Sequence, residues 1–314
     1  GFIGSNLVRA LQGRGEDVVI TVRPTSSNVN LEGLDVRQVE CDLTDYAQTL
    51  RALKGVDRVY HLAGFISVRE EDRQRVFDVN HEATVNLLGA CKEVGVERVV
   101  YLASIFALGA GEGDESADED VEYTLDWYPV HYFQAKRLAE LHARRMADEG
   151  LPIVFVYPTF CFGPGDVYLS SSEMIVEFMR GRVPAYVASG IDMLDVRDAA
   201  EGLILGMEKG KLGERYLITG YHVPYKELFE RLSTLTGRPA PRARIPKWAL
   251  VPMARLAERF SKRPPLTVQA ALLMKRSWYY RGDKARRELG FRNRPLDETL
   301  RDAVAWFREH GYAK

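Results

Sequence analysis

Apolar and polar positions follow two rhythms through the first half of the chain. Short continuous apolar runs, such as Val18-Val19-Ile20-Thr21-Val22 and Val99-Val100-Tyr101-Leu102-Ala103, are separated by longer stretches with an apolar residue every three or four positions. A continuous run suits a strand covered on both faces, and the longer period suits a helix. The runs predict buried strands at 17–22, 36–40, 58–62, 98–103 and 152–157, and helices at 73–94 and 132–149. Strand alternating with helix reads as α/β: a doubly wound parallel sheet with helices on both faces. In such a sheet chemistry gathers at the carboxyl ends of the strands. Those ends carry Arg23, Asp42, Ala63, Ser104 and Pro158.

From Gly163 onward the rhythm changes. Gly163-Pro164-Gly165-Asp166 breaks it, a short strand returns at 214–219, and prolines cluster at Pro239, Pro241, Pro246 and Pro264-Pro265. We expect a sheet domain over 1–162 and a smaller substrate lobe over 163–314, with 191–220 returning to the sheet. The acidic stretch 112–122 reads as a solvated loop between Ser104 and Tyr132. The stretch 246–260 is basic and amphipathic, with Trp248 and Met253. Its expected role is to pack its apolar face on the lobe. Lying on a membrane surface or capping a greasy substrate is the other reading.

Composition narrows the class. With 314 residues, 46% of them hydrophobic, the chain can bury a large core. A formal net charge of −1 gives no reason to expect a nucleic-acid partner. Cys41, Cys91 and Cys161 form no Cys-x-x-Cys pair, and the six histidines form no His-x-x-x-His. No metal is expected, and the cysteines read as reduced thiols of a cytoplasmic protein. No apolar run is long enough to span a bilayer.

The candidate chemistry centres on Tyr132-Phe133-Gln134-Ala135-Lys136, with Ser104 upstream. A spacing of four puts the phenol and the ammonium on one helix face. A cation beside a tyrosine favours the phenolate and lowers its pKa, giving a general acid/base near neutral pH. Ser104 supplies a hydroxyl to hold a substrate oxygen. Such a trio suits hydride transfer at a carbon bearing an alcohol or a ketone. At the start of the chain, Gly1-Phe2-Ile3-Gly4 leads into a helical pattern of Ile3, Leu7, Ala10 and Leu11. It reads as the second half of a dinucleotide-binding loop, whose glycines let backbone N–H groups approach a pyrophosphate. The loop's preceding strand and first glycine are absent and the first residue is not Met, so a first strand is expected ahead of Gly1, about ten residues with its turn.

Taken in order, these residues resemble the extended short-chain dehydrogenase/reductases of the NAD-dependent epimerase/dehydratase family, over nearly the whole chain. The resemblance rests on Gly1-Phe2-Ile3-Gly4, Asp42-Leu43, His61-Leu62-Ala63-Gly64, Asn80, Asn86-Leu87-Leu88, Ser104, Tyr132 with Lys136, and Pro158-Thr159 before Gly163-Pro164-Gly165. It implies a Rossmann-type fold and catalytic roles for Ser104, Tyr132 and Lys136. It sets the dinucleotide against Gly1, Phe2, Ile3, Gly4, Asp42, Leu43, Leu62, Ala63, Gly64, Asn80, Lys136, Pro158 and Thr159. It also implies a homodimer paired through the helices at 73–94 and 132–149. Cofactor choice turns on the end of the second strand, Arg23-Pro24-Thr25-Ser26-Ser27, which has an arginine and hydroxyls but no carboxylate. Arg23 favours NADP, with NAD as the alternative.

Departures from the family narrow the chemistry. Ser104 is followed by Ile105 and Phe106, where sugar-nucleotide dehydratases carry Asp and Glu, so dehydration by that route is not expected. The position where many nucleotide-sugar epimerases carry a diphosphate-gripping arginine is Ile191, with Arg197 nearby in sequence. The strand end and the C-terminal texture resemble dihydroflavonol-4-reductase-like and sterol-dehydrogenase-like members and hopanoid-associated sugar epimerases. Phe106, Tyr128, Phe162 and Tyr168 are candidates for lining an apolar pocket. The expected substrate is a small molecule, a sugar derivative or a hydroxy or keto compound. The rival of another class is a non-catalytic NADP-binding redox sensor.

Overall fold

β-Branched and aromatic residues dominate the central strands, whose inner positions are buried beneath helices on both faces. The computed structural model describes residues 1–23, 29–260 and 266–313. Its strands are β1 (Val19–Val22), β2 (Arg37–Glu40), β3 (Arg58–His61), β4 (Arg98–Leu102), β5 (Ile153–Pro158), β6 (Phe160–Phe162), β7 (Ala185–Val187), β8 (Gly190–Asp195), β9 (Arg215–Ile218), β10 (Tyr221–Pro224) and β11 (Ala243–Ile245). One parallel sheet runs β3-β4-β5-β9, and β1 pairs with β2, also parallel. β5 is buried along its whole length. Each of its Ile, Val and Phe side chains contributes about 1.5–3 kcal/mol on leaving water. β1 was expected to be buried but is only half-covered, because among the described residues it is hydrogen-bonded on one side only, to β2.

Helices cover the sheet. Phe2–Gly13 packs Leu7 and Leu11 into a cluster with Val196, Ala199, Ala200 and Leu203 of helix Val196–Lys209. That cluster closes over Val100, Val154 and Val156. The other face is covered by His131–Asp148 and by Ala83–Val94, which supplies Leu87, Leu88 and Cys91. The predicted helix at 73–94 contains a π-turn, Asp78–Glu82, a distortion that often marks functional sites.

A second sheet, β10-β8-β6, grows directly out of the first. The chain leaves β5 for β6 at Thr159 and leaves β9 for β10 at Thr219-Gly220. Asp192, fully buried in β8, ties both crossings: its Oδ1 accepts from the Thr159 hydroxyl at 2.7 Å and from the Gly220 N–H at 2.6 Å. The stretch 191–220 therefore divides, with β9 in the parallel sheet and β8 in the second one. β7 and β11 form a small parallel pair beside helices Leu250–Phe260 and Val268–Met274.

The acidic loop departs in part from expectation. Glu119 is buried and accepts from the Leu217 N–H at 2.8 Å, Asp118 pairs with Arg281 at 2.8 Å, and Asp114 accepts from the Ser277 hydroxyl at 2.5 Å. The loop thus ties the parallel sheet to the C-terminal lobe through these residues, while Glu112, Asp114, Glu115, Asp120 and Glu122 stay exposed as expected.

Candidate active site

The parallel register brings His61, Tyr101, Leu102, Pro158 and Ile218 to one edge of the sheet. Just past that edge, Ser104 caps the helical turn Ile105–Leu108, accepting from the Phe106 N–H at 3.3 Å. Tyr132, half-buried in the first turn of helix His131–Asp148, lies within hydrogen-bonding reach of the Ser104 hydroxyl. Phe106 stacks on Phe133 at 4.2 Å and clamps the turn to the helix. Burial pushes the Tyr132 phenol up to about 12, and the bond to Ser104 partly offsets this. Lys136, one turn later, is buried, with its Nζ 3.4 Å from the Leu102 carbonyl and 5.5 Å from the Tyr101 ring centroid.

This corrects the expectation that Lys136 pulls the phenol toward neutral pH. The two do lie a turn apart, but desolvation governs the phenol while the ammonium is turned to the end of β4. Tyr132 is a protonated donor at neutral pH.

Behind Lys136 lies a group the sequence did not single out. Glu140 is fully buried, paired with Arg144 and 3.9 Å from Arg137. The only signal was charges at i, i+4 and i+8, ordinary on an exposed helix. Burial brings Lys136 down to about 8, and Glu140 opposes that shift. His61, also beside this ammonium, is held near 3 by burial and by Lys136, and is neutral. Lys136 is thus charged below about pH 8 and loses its charge above it. We expect turnover that depends on Lys136 to fall as pH rises through about 8. Glu140→Gln should move that limb to lower pH, because it removes the charge that holds the proton on. Profiles of kcat/KM against pH for both proteins test this; an unshifted limb would uncouple Glu140 from Lys136.

The residues expected to hold a dinucleotide fall along the same edge. Helix Phe2–Gly13 starts from Gly1 with no side-chain cap, so its first backbone N–H groups are left for a pyrophosphate to take. Phe2 is buried and Ile3 half-buried in the core cluster beneath. Leu62, Ala63 and Gly64 follow β3. Asn80, in the π-turn, holds that loop, donating to the Phe65 and Val76 carbonyls at 2.8 Å and accepting from the Phe65 N–H at 3.2 Å. Its side chain is spent on the loop, so any part it takes in cofactor binding runs through Gly64-Phe65. Likewise the Thr159 hydroxyl is spent on Asp192, leaving Pro158 and the Thr159 backbone along the edge. Leu43 accepts from Asn86 Nδ2 at 3.1 Å. Asp42 holds its own turn through the Thr44 N–H and hydroxyl, which lower its pKa, with a smaller lowering from the Arg23 charge nearby. Pro24, Thr25, Ser26 and Ser27 lie outside the described residues. These groups fit a dinucleotide laid along the strand ends.

Phe106 links Tyr132 to an aromatic cluster. Its ring meets Tyr132 edge-on at 6.2 Å, and behind it the same Phe106 ring meets Phe160 at 5.9 Å and the buried Trp278 at 5.2 Å. Sequence reading found Phe106 and missed Phe160 and Trp278. Tyr128 and Phe162 belong to the buried core, and Tyr168 is largely exposed. Arg197 is consumed by Asp195 and Asp302, both at 2.7 Å, and Ile191 is buried.

Residues 1–219 match the NAD dependent epimerase/dehydratase family. The chain belongs to that family. Over 99% of its length it is 35% identical to Sterol demethylase protein B of Methylococcus capsulatus, covering 97% of that protein. Its fold is similar to that of gox2253, with a TM-score of 0.90 and 33% identity over 100% of this chain and 97% of that one. It is also similar to a nucleoside-diphosphate-sugar epimerase from Pseudomonas aeruginosa, with a TM-score of 0.82 and 29% identity over 100% and 96% of the two chains. Like its relatives, this epimerase/dehydratase family member is an extended short-chain dehydrogenase/reductase enzyme with a Rossmann-type α/β fold. Among its described residues no helix is long and apolar enough to cross a membrane.

Proposed function

We propose that this enzyme is an NADP-preferring reductase of apolar ketones, interconverting a ketone and a secondary alcohol. The observation that carries the reading is the apolar flank of Tyr132, where Phe106 meets the phenol ring edge-on and is itself backed by Phe160 and the buried Trp278. A rigid apolar surface next to the proton donor accepts a hydrocarbon skeleton and offers a sugar's hydroxyls few partners. Two further observations support it. No carboxylate follows Ser104, and Arg197 is neutralised by its own acids, so neither dehydration chemistry nor a diphosphate grip from that arginine is at hand. The sterol-directed name of the M. capsulatus relative points the same way. The NADP preference rests on Arg23, whose charge reaches Asp42 where the adenosine end is expected.

A nicotinamide, when bound, supplies the hydride. The chain does the rest. Ser104 donates a hydrogen bond to the substrate oxygen and fixes it beside the phenol. Tyr132 gives its proton to that oxygen as the alcohol forms, and its raised pKa keeps the proton available through neutral pH. The transient phenolate is left one helical turn from the Lys136 ammonium, whose charge favours it. Lys136, with one of its three donors on Leu102, has others to offer the cofactor's ribose.

The test is to denature the purified protein and measure released NAD(H) and NADP(H), then to follow oxidation of NADPH and NADH by the intact protein against apolar and polar ketones. We expect little bound dinucleotide, faster turnover with NADPH, and a rate that rises with the apolar character of the ketone. Stoichiometric bound dinucleotide with no net oxidation would sink the reductase reading in favour of an internal redox cycle, as an epimerase requires.

A further inference from the structure

We propose that helix Leu250–Phe260 and the preceding Trp248 form a docking surface for an anionic lipid bilayer, on which the enzyme sits without crossing. The helix is held to the lobe by one face only. Leu250 and Ala254, one turn apart, are buried against Val187 and Ala271. A neighbouring side of the helix carries Met253, Leu256 and Phe260 at i, i+3 and i+7, which form one stripe. They are 47%, 60% and 79% exposed, and Trp248 at the entrance to the helix is 77% exposed. The expectation that this segment uses its apolar face for core packing therefore accounts for Leu250 and Ala254 and leaves the larger apolar side chains in water. Single exposed apolar residues are ordinary; an aligned set that includes Trp and Phe marks a contact surface.

Charge selects the occupant. Between 242 and 260 the chain carries five cations, Arg242, Arg244, Lys247, Arg255 and Arg259, and one acid, Glu258, within a protein of net charge −1. Glu258 is exposed and accepts from the Val268 N–H at 2.8 Å. Arg255 and Arg259 flank the stripe on the wheel and are exposed, and among the described residues neither has an ion-pair partner. An apolar stripe with arginines along its side and an aromatic residue at its end is the pattern of a helix lying in the headgroup boundary of anionic lipid.

The test is cosedimentation of the purified protein with vesicles of phosphatidylcholine alone and of phosphatidylcholine mixed with phosphatidylglycerol. The expected result is binding to the mixed vesicles only, weakened by salt. Leu256→Ser with Phe260→Ser should lower binding about tenfold or more, from lost apolar burial. Arg255→Gln with Arg259→Gln should lower it about fivefold per arginine. Both variants should keep the wild-type melting temperature and ketone turnover, which separates lost docking from lost folding. Absence of binding to either vesicle overturns the proposal. So does binding to both vesicles that is indifferent to the arginines. A dimer in sedimentation equilibrium that the Leu256→Ser/Phe260→Ser variant dissolves, with no lipid binding, assigns the stripe to a second copy of the chain and overturns it too.

Discussion

Tyr132→Phe should lower ketone turnover by about 10²–10⁴-fold while leaving NADPH affinity close to wild type. In the proposed mechanism the phenol moves the proton, and removing one oxygen at a half-buried site leaves Phe106, Phe133 and the helix start in position. Ser104→Ala should lose about 10²–10³-fold, because it removes a hydrogen-bond donor to the reacting oxygen and leaves the proton donor intact. The pair should not add: Ser104 also bonds the Tyr132 phenol, so the double variant should fall short of the product of the two singles. Steady-state rates with a fluorescence titration of NADPH separate chemistry from binding. Wild-type turnover in Tyr132→Phe would reject the catalytic assignment. Unchanged biological activity of that variant, with NADPH still bound, would instead favour the dinucleotide-sensing alternative.

The parts of this site that were legible in the sequence are those that local chemistry dictates. Ile153–Pro158 could be read because a strand covered on both faces must be apolar at every position. Ser104, Tyr132 and Lys136 could be read because a strand end and a helical spacing of four place them without knowledge of the rest of the fold. Trp278 could not be. It comes to Phe106 from more than a hundred residues away, carried by a lobe whose strands are only three to six residues long. Glu140 escaped for the opposite reason: its local pattern was plain, but nothing local distinguishes a buried ion pair from an exposed one. The Tyr132 pKa was misjudged because spacing reports proximity to a charge and not burial, and here burial dominates. For helix Leu250–Phe260 the periodicity announced an apolar face, but not which side of the helix the lobe would cover.

Gly220→Ala should cost the fold about 3 kcal/mol or more, the largest stability effect we expect from adding a single carbon. A Cβ at this position would lie 1.6 Å from the Met193 carbonyl oxygen and 2.3 Å from its carbon. Overpacking typically costs 1–3 kcal/mol when side chains can give way. Here the obstacle is the backbone of β8, buried along its length, and it can yield only by opening the sheet. The Gly220 N–H is also one of the two bonds on Asp192 Oδ1, the other being the Thr159 hydroxyl, so displacing this crossing pulls on the one beside Pro158. The melting temperature should fall by roughly 5 °C or more, and at temperatures where the variant is still folded its kcat/KM should drop through misplacement of the Pro158-Thr159 edge. Gly13→Ala is the control. It closes helix Phe2–Gly13 with open space around its missing Cβ, and should be neutral or gain up to about 1 kcal/mol. If Gly220→Ala melts with the wild type, the two sheets are not locked together at this crossing, and Asp192 cannot be what sets the position of Thr159 at the site.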